Sequence, residues 1–168
     1  MTLTWTASEL MTGKKFQDKS LIVAFKNGKQ SYSSVTIPRP DADITMTLPQ
    51  TSATYLVEVN VGTMGHTSGD IVIQWDVTGD ATVFRTTQAM TVPASTSSDT
   101  NLISVAQSVA EQASGTAMSP APWAVREKLT VITGLQPSTL TMWWAQDVTS
   151  TTSSSVTDYG WAVARRLT

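Results

Sequence analysis

The sequence predicts an all-β protein, an antiparallel β-sandwich of jelly-roll type, and three observations lead to this prediction. Thr and Ser together account for 47 of the 168 residues, and Thr favours strands whereas Ser favours turns. Charged residues make up only 14% of the chain, which argues against a helical bundle or a βαβ enzyme. Segments of alternating apolar and polar residues recur at intervals of about ten residues, a spacing typical of sandwiches and jelly rolls.

Two regions are predicted, an N-terminal docking arm of residues 1–40 and a sandwich of residues 41–168. The boundary lies at Pro38-Arg39-Pro40-Asp41, because each proline removes a hydrogen-bond donor that a strand would need. A chain of this length folds as one domain of ordinary size and buries a core without covalent staples.

The arm is predicted to hold a short helix and a β-hairpin. Thr12 is placed to cap a helix over 13–19, and Phe16 would anchor that helix on another surface. Residues 21–25 form a first strand, and Asn27-Gly28 is a strong turn signal because both residues tolerate positive φ. The return strand of the hairpin is expected over 31–37.

Eight strands are predicted in the sandwich from alternation at period two. The segment 102–111 also fits a helix face, and a strand is favoured there because its surroundings are β. The hydroxyl-rich segment 86–101 is expected to be a long loop. The predicted strands are 44–48, 54–61, 70–77, 82–86, 102–111, 124–133, 139–146 and 156–167.

Charge is unevenly distributed along the chain, whose net charge is −2. Residues 1–30 hold five lysines and two acids, a net charge of +3, and the remainder has a net charge of −5. The basic segment either docks on an acidic partner surface or is a solvated stretch of scattered lysines. The acidic body disfavours binding to nucleic acid. No apolar run approaches the length of a membrane span, since the longest is 21–25.

Catalytic and metal-binding constellations are largely excluded by composition. The chain has no cysteine and a single histidine, His66, so a catalytic triad or a multi-histidine metal site within one chain is excluded. Glu58 and Glu127 fall in the middle of strands and are expected to face solvent. Asp41 and Asp43 are expected to cap a turn. We therefore predict no catalytic residue, no metal and no cofactor.

Six tryptophans are candidates for core or interface positions. Trp75 and Trp161 lie on apolar strand faces and are expected in the core. Trp143 and Trp144 are adjacent, so one should point into the core and the other outwards. Two further interface candidates, Trp5 and Trp123, lie outside the predicted strands.

Several segments resemble a module found in structural proteins of tailed bacteriophages. A Gly-Asp strand that ends in Trp, 69–75 after the strand 55–59, is followed by a Gly…Leu…Trp-Ala-Gln strand over 134–146, a Ser/Thr loop and a last strand ending in Arg-Leu. The opening Trp5…Thr12 is similar to the short opening of such proteins, with Ala7-Ser8 where glycine is usual. The resemblance implies a jelly-roll sandwich that assembles into a homotrimer on a virion surface, and it implies no catalytic residue.

The leading hypothesis is a capsid decoration protein, made in the host cytoplasm, that docks on a major capsid protein or a tail protein. The alternatives are a minor tail or receptor-binding module that recognises host carbohydrate, and a glycan-degrading enzyme, which would need two carboxylates within catalytic reach. The residues expected to dock the arm are Trp5, Lys14, Lys15, Phe16 and Lys19. The interface candidates of the body are Trp123, Trp143, Arg165 and Arg166.

Overall fold

The protein is an antiparallel β-sandwich of jelly-roll type, as the sequence predicts. The computed structural model describes residues 21–65, 71–91, 100–106, 113–115 and 123–168, and every regular element in those ranges is a β-strand. No helix among these residues is long and apolar enough to cross a bilayer. The strands are β1 (Ile22–Phe25), β2 (Gln30–Tyr32), β3 (Arg39–Leu48), β4 (Thr54–Met64), β5 (Ile71–Thr78), β6 (Thr82–Thr91), β7 (Thr100–Ala106), β8 (Ala113–Gly115), β9 (Trp123–Ile132), β10 (Ser138–Gln146), β11 (Ser154–Val156) and β12 (Trp161–Arg166).

The strands form two sheets, and the chain passes repeatedly from one to the other. The large sheet has the order β1-β12-β4-β9-β6-β7, with β11 pairing to both β4 and β2, and the small sheet has the order β3-β10-β5-β8. Strands β3 to β6 lie alternately in the small and large sheets, and the chain crosses again between β9 and β10. Most pairs therefore join strands that are distant in sequence, as in jelly rolls.

The core lies between the two sheets and is filled by alternate residues of the longer strands. In β4, residues 55, 57, 59 and 61 are buried and the residues between them face outwards, as the alternation predicts. Trp75 of β5 and Trp144 of β10 belong to the same core. Trp144 has no exposed surface, and its ring lies 4.4 Å from that of Tyr32, measured between centroids. The adjacent Trp143 is half-buried on the opposite face, so the prediction for this tryptophan pair is confirmed.

The predicted N-terminal hairpin is wrong. β1 pairs with β12, and β2 pairs with β11, so the two strands that flank Asn27-Gly28 do not pair with each other. The backbone N–H of Lys26 donates to the carbonyl of Gly160, which continues the contact with β12 past the end of β1. Residues 22–32 therefore belong to the large sheet, because the C-terminal strands offer an open edge. The predicted helix over 13–19 lies outside the described residues.

Two further differences concern the extent of strands. The segment expected to be a loop, 86–101, continues β6 to Thr91 and begins β7 at Thr100. The last predicted strand is instead two strands, β11 and β12, separated by a turn at 158–159. In the first case, the Thr residues of β6 are favourable in a strand because β9 and β7 supply hydrogen-bond partners on both sides.

Candidate functional site

The outward faces of the two sheets differ in chemistry. On the small sheet, threonines of β3 and β10 lie opposite each other, with Thr45 paired to Thr141 and Thr47 paired to Thr139. Their hydroxyl oxygens are 3.3 Å and 3.4 Å apart, respectively. This face is rich in hydroxyl groups that bond to one another.

The outward face of the large sheet carries exposed apolar side chains along β1 and β12. Phe25 is 69% exposed and lies directly opposite Trp161, while Val23 is 42% exposed and lies opposite Val163. We call these four residues the β1–β12 patch. An apolar group of this kind on the surface of a sandwich marks an interaction surface more often than isolated exposed residues do.

A charged band separates this patch from a second apolar position. Glu58 of β4 lies opposite Val163 on one side and Lys128 of β9 on the other. The Glu58 and Lys128 side chains are exposed and 3.8 Å apart, so their attraction contributes little to stability. Beyond the band, on β6, Phe84 is 55% exposed. The face thus offers apolar groups at both sides and charges of both signs between them.

A cleft of about 420 Å³ opens beside the patch and includes Trp161, Asn60 and Arg126 in its lining. The Asn60 side-chain oxygen is buried and has no hydrogen-bond partner among the described residues. A group that supplies a donor from outside the chain would satisfy it, since a buried unpaired polar atom is costly.

The structure places Trp161 on this exposed face and not in the core as expected. It is 36% exposed, because Ala162 and Ala164 are the residues of β12 that point inwards, each with no exposed surface. In the sequence, the small apolar residues at 162 and 164 are the feature that indicates which face of β12 points into the core. Trp161 and Val163 also give the opposite face an apolar character, and that face was the one predicted to point into the core.

The interface candidates of the body lie in different places. Trp123 is the first residue of β9 rather than a loop residue. Trp143 lies on the threonine-rich face, and its indole N–H has no partner among the described residues. Arg165 is exposed on the large sheet opposite Leu56, and the Arg166 guanidinium donates to the carbonyl of Thr168. The structure brings Arg165, but not Trp143, near the β1–β12 patch. The arm residues and His66 lie outside the described residues.

One of the two mid-strand glutamates is buried, which corrects the expectation that both face solvent. Glu58 is exposed, but Glu127 is 2% exposed and forms an ion pair with Arg85, which is 1% exposed. Glu127 also accepts hydrogen bonds from the indole N–H of Trp75 and the hydroxyl of Thr87. The Arg85 guanidinium donates 3.0 Å to the carbonyl of Ile73, so this cluster links the two sheets.

A second buried ion cluster also joins the sheets. Lys26, just after β1, places its Nζ 3.0 Å and 2.9 Å from the two carboxylate oxygens of Asp41 in β3. Asp41 has no exposed surface, and its Oδ1 accepts the backbone N–H groups of Asp43 and Ile44. These residues lie within β3 and not in a turn, so the predicted turn cap is wrong and the contact is a local one inside a strand. Lys26, counted above with the basic arm, is therefore enclosed by acids.

Asp43 completes the second cluster. Its Oδ2 lies 3.0 Å from Lys26 Nζ and accepts the backbone N–H of Asn27 at 3.2 Å. The hydrogen bond from Lys26 and then that from Asn27 hold the pKa of the Asp43 carboxyl below its ordinary value. Asp43 is therefore a carboxylate, partly open to solvent, beside a buried lysine and a buried aspartate.

No group of three or more His, Cys, Asp or Glu side chains within the described ranges could hold a metal ion. Comparison with known proteins identifies no family for this chain. No family model matches the sequence, and no curated protein matches it. The structure is similar to that of Eiger TNF from S. frugiperda at 12% identity, over 90% of this chain and 94% of that one, with a TM-score of 0.45. It also resembles a chain of infectious bursal disease virus, Gx strain, at 11% identity and a TM-score of 0.24, covering 88% of this chain and 42% of that one.

Proposed function

We propose that the chain is a non-enzymatic structural protein of a phage virion, most simply a capsid decoration protein that assembles as a homotrimer. The observation that carries this proposal is the outward face of the large sheet. Phe25, opposite the partly exposed Trp161, and Phe84, on the far side of the charged band, are both more than half exposed there. Apolar aromatic groups at the surface gain free energy when a partner covers them.

A second copy of the chain is the partner that this face fits best. The face combines apolar groups with both acidic and basic ones, Glu58 against Arg126 and Lys128, so a copy of itself offers complementary charge. The small sheet presents hydroxyl groups that already bond to one another, and it offers less to a partner. Oligomers with closed symmetry place the same surface in every subunit, which suits a repeated position on a particle.

Residues 1–20 remain the proposed docking segment, through Trp5, Lys14, Lys15, Phe16 and Lys19. Lys26 forms ion pairs with Asp41 and Asp43, so its charge does not contribute to docking on a partner. The partner would be a major capsid protein or a tail protein with an acidic surface.

Removal of residues 1–20 tests the docking proposal. The truncation should stop at residue 20, because β1 begins at Ile22 and pairs with β12. We expect the truncated chain to stay folded by circular dichroism and to lose binding to purified phage particles that lack the protein. Binding by the full chain should weaken as salt rises, since exposed charges are screened. Undiminished binding by the truncated chain would contradict the proposal.

The carbohydrate-binding alternative is favoured by one feature, the cleft beside Trp161. A tryptophan ring next to Asn60 and Arg126 is a surface on which a sugar ring could stack and form hydrogen bonds. In a homotrimer formed through this face the cleft would be covered. Binding of a host glycan that is lost in Trp161→Ala would favour this alternative, and its absence across host glycans would favour the structural role.

A further inference from the structure

We propose that Lys26 and Asp41 react to form an amide bond between their side chains, with Asp43 transferring the protons. The bond would be a covalent link between the two sheets in a chain that has no cysteine. Three observations carry the proposal: the contact of the two reacting groups, the hydrogen bonds on the Asp41 carboxylate, and the position of Asp43.

The reacting groups are held together away from water. Lys26 Nζ lies 3.0 Å from Oδ1 and 2.9 Å from Oδ2 of Asp41, and the two side chains are 4% and 0% exposed. Groups fixed in contact by a fold react as though at very high concentration. Exclusion of water also removes the solvent that favours hydrolysis over condensation.

The Asp41 carboxyl group is arranged as an electrophile. Its Oδ1 accepts the backbone N–H groups of Asp43 at 3.1 Å and Ile44 at 3.3 Å. These donors would stabilise the negative charge that develops on Oδ1 when nitrogen adds to the carboxyl carbon. Oδ2 receives no backbone donor and contacts Lys26 Nζ, so it is the oxygen placed to leave.

Asp43 is positioned to move the protons. Its Oδ2 is 3.0 Å from Nζ and it is a carboxylate, so it can accept a proton from the ammonium group. That proton passes to Oδ2 of Asp41, and the neutral amine then adds to the carboxyl carbon to form the C–N bond. A second proton follows from nitrogen to Oδ2, the C–Oδ2 bond breaks, and one water molecule leaves. The ammonium and carboxylate thus become a neutral amide and water, Asp43 returns to its initial state, and nothing is oxidised or reduced.

The location of the bond gives it a structural role. Lys26 follows an edge strand of the large sheet, and Asp41 lies in β3, an edge strand of the small sheet. An amide between them would hold these two edges together and close a loop of residues 26–41. Such a closure reduces the conformational freedom of the unfolded chain, as a disulfide does.

Mass spectrometry of the purified full-length chain tests the proposal. We expect the denatured chain to be lighter than its sequence by one water molecule. Trypsin cannot cut after an amide-linked lysine, so residues 20–29 should be recovered joined to the peptide that contains Asp41. Lys26→Arg retains a positive charge but cannot form the amide, and it should show the full mass. The matched control Lys29→Arg alters an exposed lysine nearby and should still lose one water.

Three results would overturn the proposal or part of it. A wild-type chain of full mass that trypsin cuts after Lys26 would show a simple ion pair. Loss of water without a branched peptide would indicate a cyclic imide at Asp41 instead. Asp43→Asn leaves both reacting groups in place and should accumulate the amide at least tenfold more slowly, by analogy with the loss of other acid–base groups. An unchanged rate in that variant would remove Asp43 from the reaction.

Discussion

At the scale of single residues, the sandwich is connected by polar side chains that reach from one sheet to the other. Arg85 of the large sheet donates to the carbonyl of Ile73 in the small sheet, and the indole N–H of Trp144 donates to the side chain of Gln30 at 2.9 Å. These groups are buried or partly buried, so each depends on its partner to offset the loss of water. Removing one partner should therefore cost more than the contact itself is worth.

Substitution of Glu127 tests this most clearly. Glu127→Gln removes the negative charge that faces the buried Arg85 guanidinium, which we expect to reduce the free energy of unfolding by about 3–5 kcal/mol. Glu58→Gln is the matched control, because Glu58 is exposed and should change stability by about 0.5 kcal/mol or less. Urea unfolding measures both, and equal effects of the two substitutions would contradict the account.

Glu127 also shows what the sequence could and could not predict. Alternation placed Glu127 on the same face as Val125, Leu129 and Val131, and that face is buried. Residue type and alternation therefore give opposite predictions at this position, because a glutamate is rarely buried unless it is paired. Its partner Arg85 lies 42 residues away in the chain, so no local sequence pattern predicts that the two residues pair.

At the scale of elements, the turn between β9 and β10 is organised by a side chain from another turn. The carboxylate of Asp80 accepts the backbone N–H groups of Leu135 at 2.9 Å and Gln136 at 3.2 Å. A Cβ at Gly134 would lie 2.2 Å from the Asp80 carboxyl carbon, so only glycine leaves room for this contact. The hydrogen bond from Leu135 is the main cause that holds the pKa of Asp80 below its ordinary value.

This contact predicts a pH dependence of stability. Because the pKa of Asp80 is lower in the folded chain, the unfolded chain binds more protons as pH falls through the region near and below about 4. The contribution of Asp80 is present in full above that region and disappears below the lowered pKa. Asp80→Ala should lower the melting temperature at pH 7, and the difference from wild type should shrink as pH falls through the lowered pKa of Asp80. A difference that stays constant over this range would show that the charge of Asp80 is not involved.

Strands are predictable from sequence where the alternation of apolar and polar residues within one segment defines them. They are less predictable where pairing with a distant strand defines them. The alternation in β4 and β10 fixed which residues face the core. β2 and β11 are three-residue strands that exist because they pair with each other and β11 with β4. No pattern of three residues carries that information.

At the scale of the whole molecule, we propose that the chain is a building block that assembles through the outward face of the large sheet. The core and the buried clusters lie inside the sandwich, whereas the β1–β12 patch is exposed, and the proposal is that a second copy of the chain covers it. Covering a side chain such as Phe25 is worth about 1.5–3 kcal/mol. Phe25→Ser should therefore weaken self-association roughly tenfold to a hundredfold without unfolding the sandwich, because Phe25 is already 69% exposed in the single chain.

The mass of the protein in solution tests this claim most directly, measured by light scattering over a range of concentrations. We expect the unaltered chain to have the mass of a trimer, and Phe25→Ser to shift towards the monomer. Ile37→Ser, which alters a 78% exposed residue outside the patch, should behave as the unaltered chain does. A monomer at every concentration, or a trimer that Phe25→Ser leaves intact, would contradict the account.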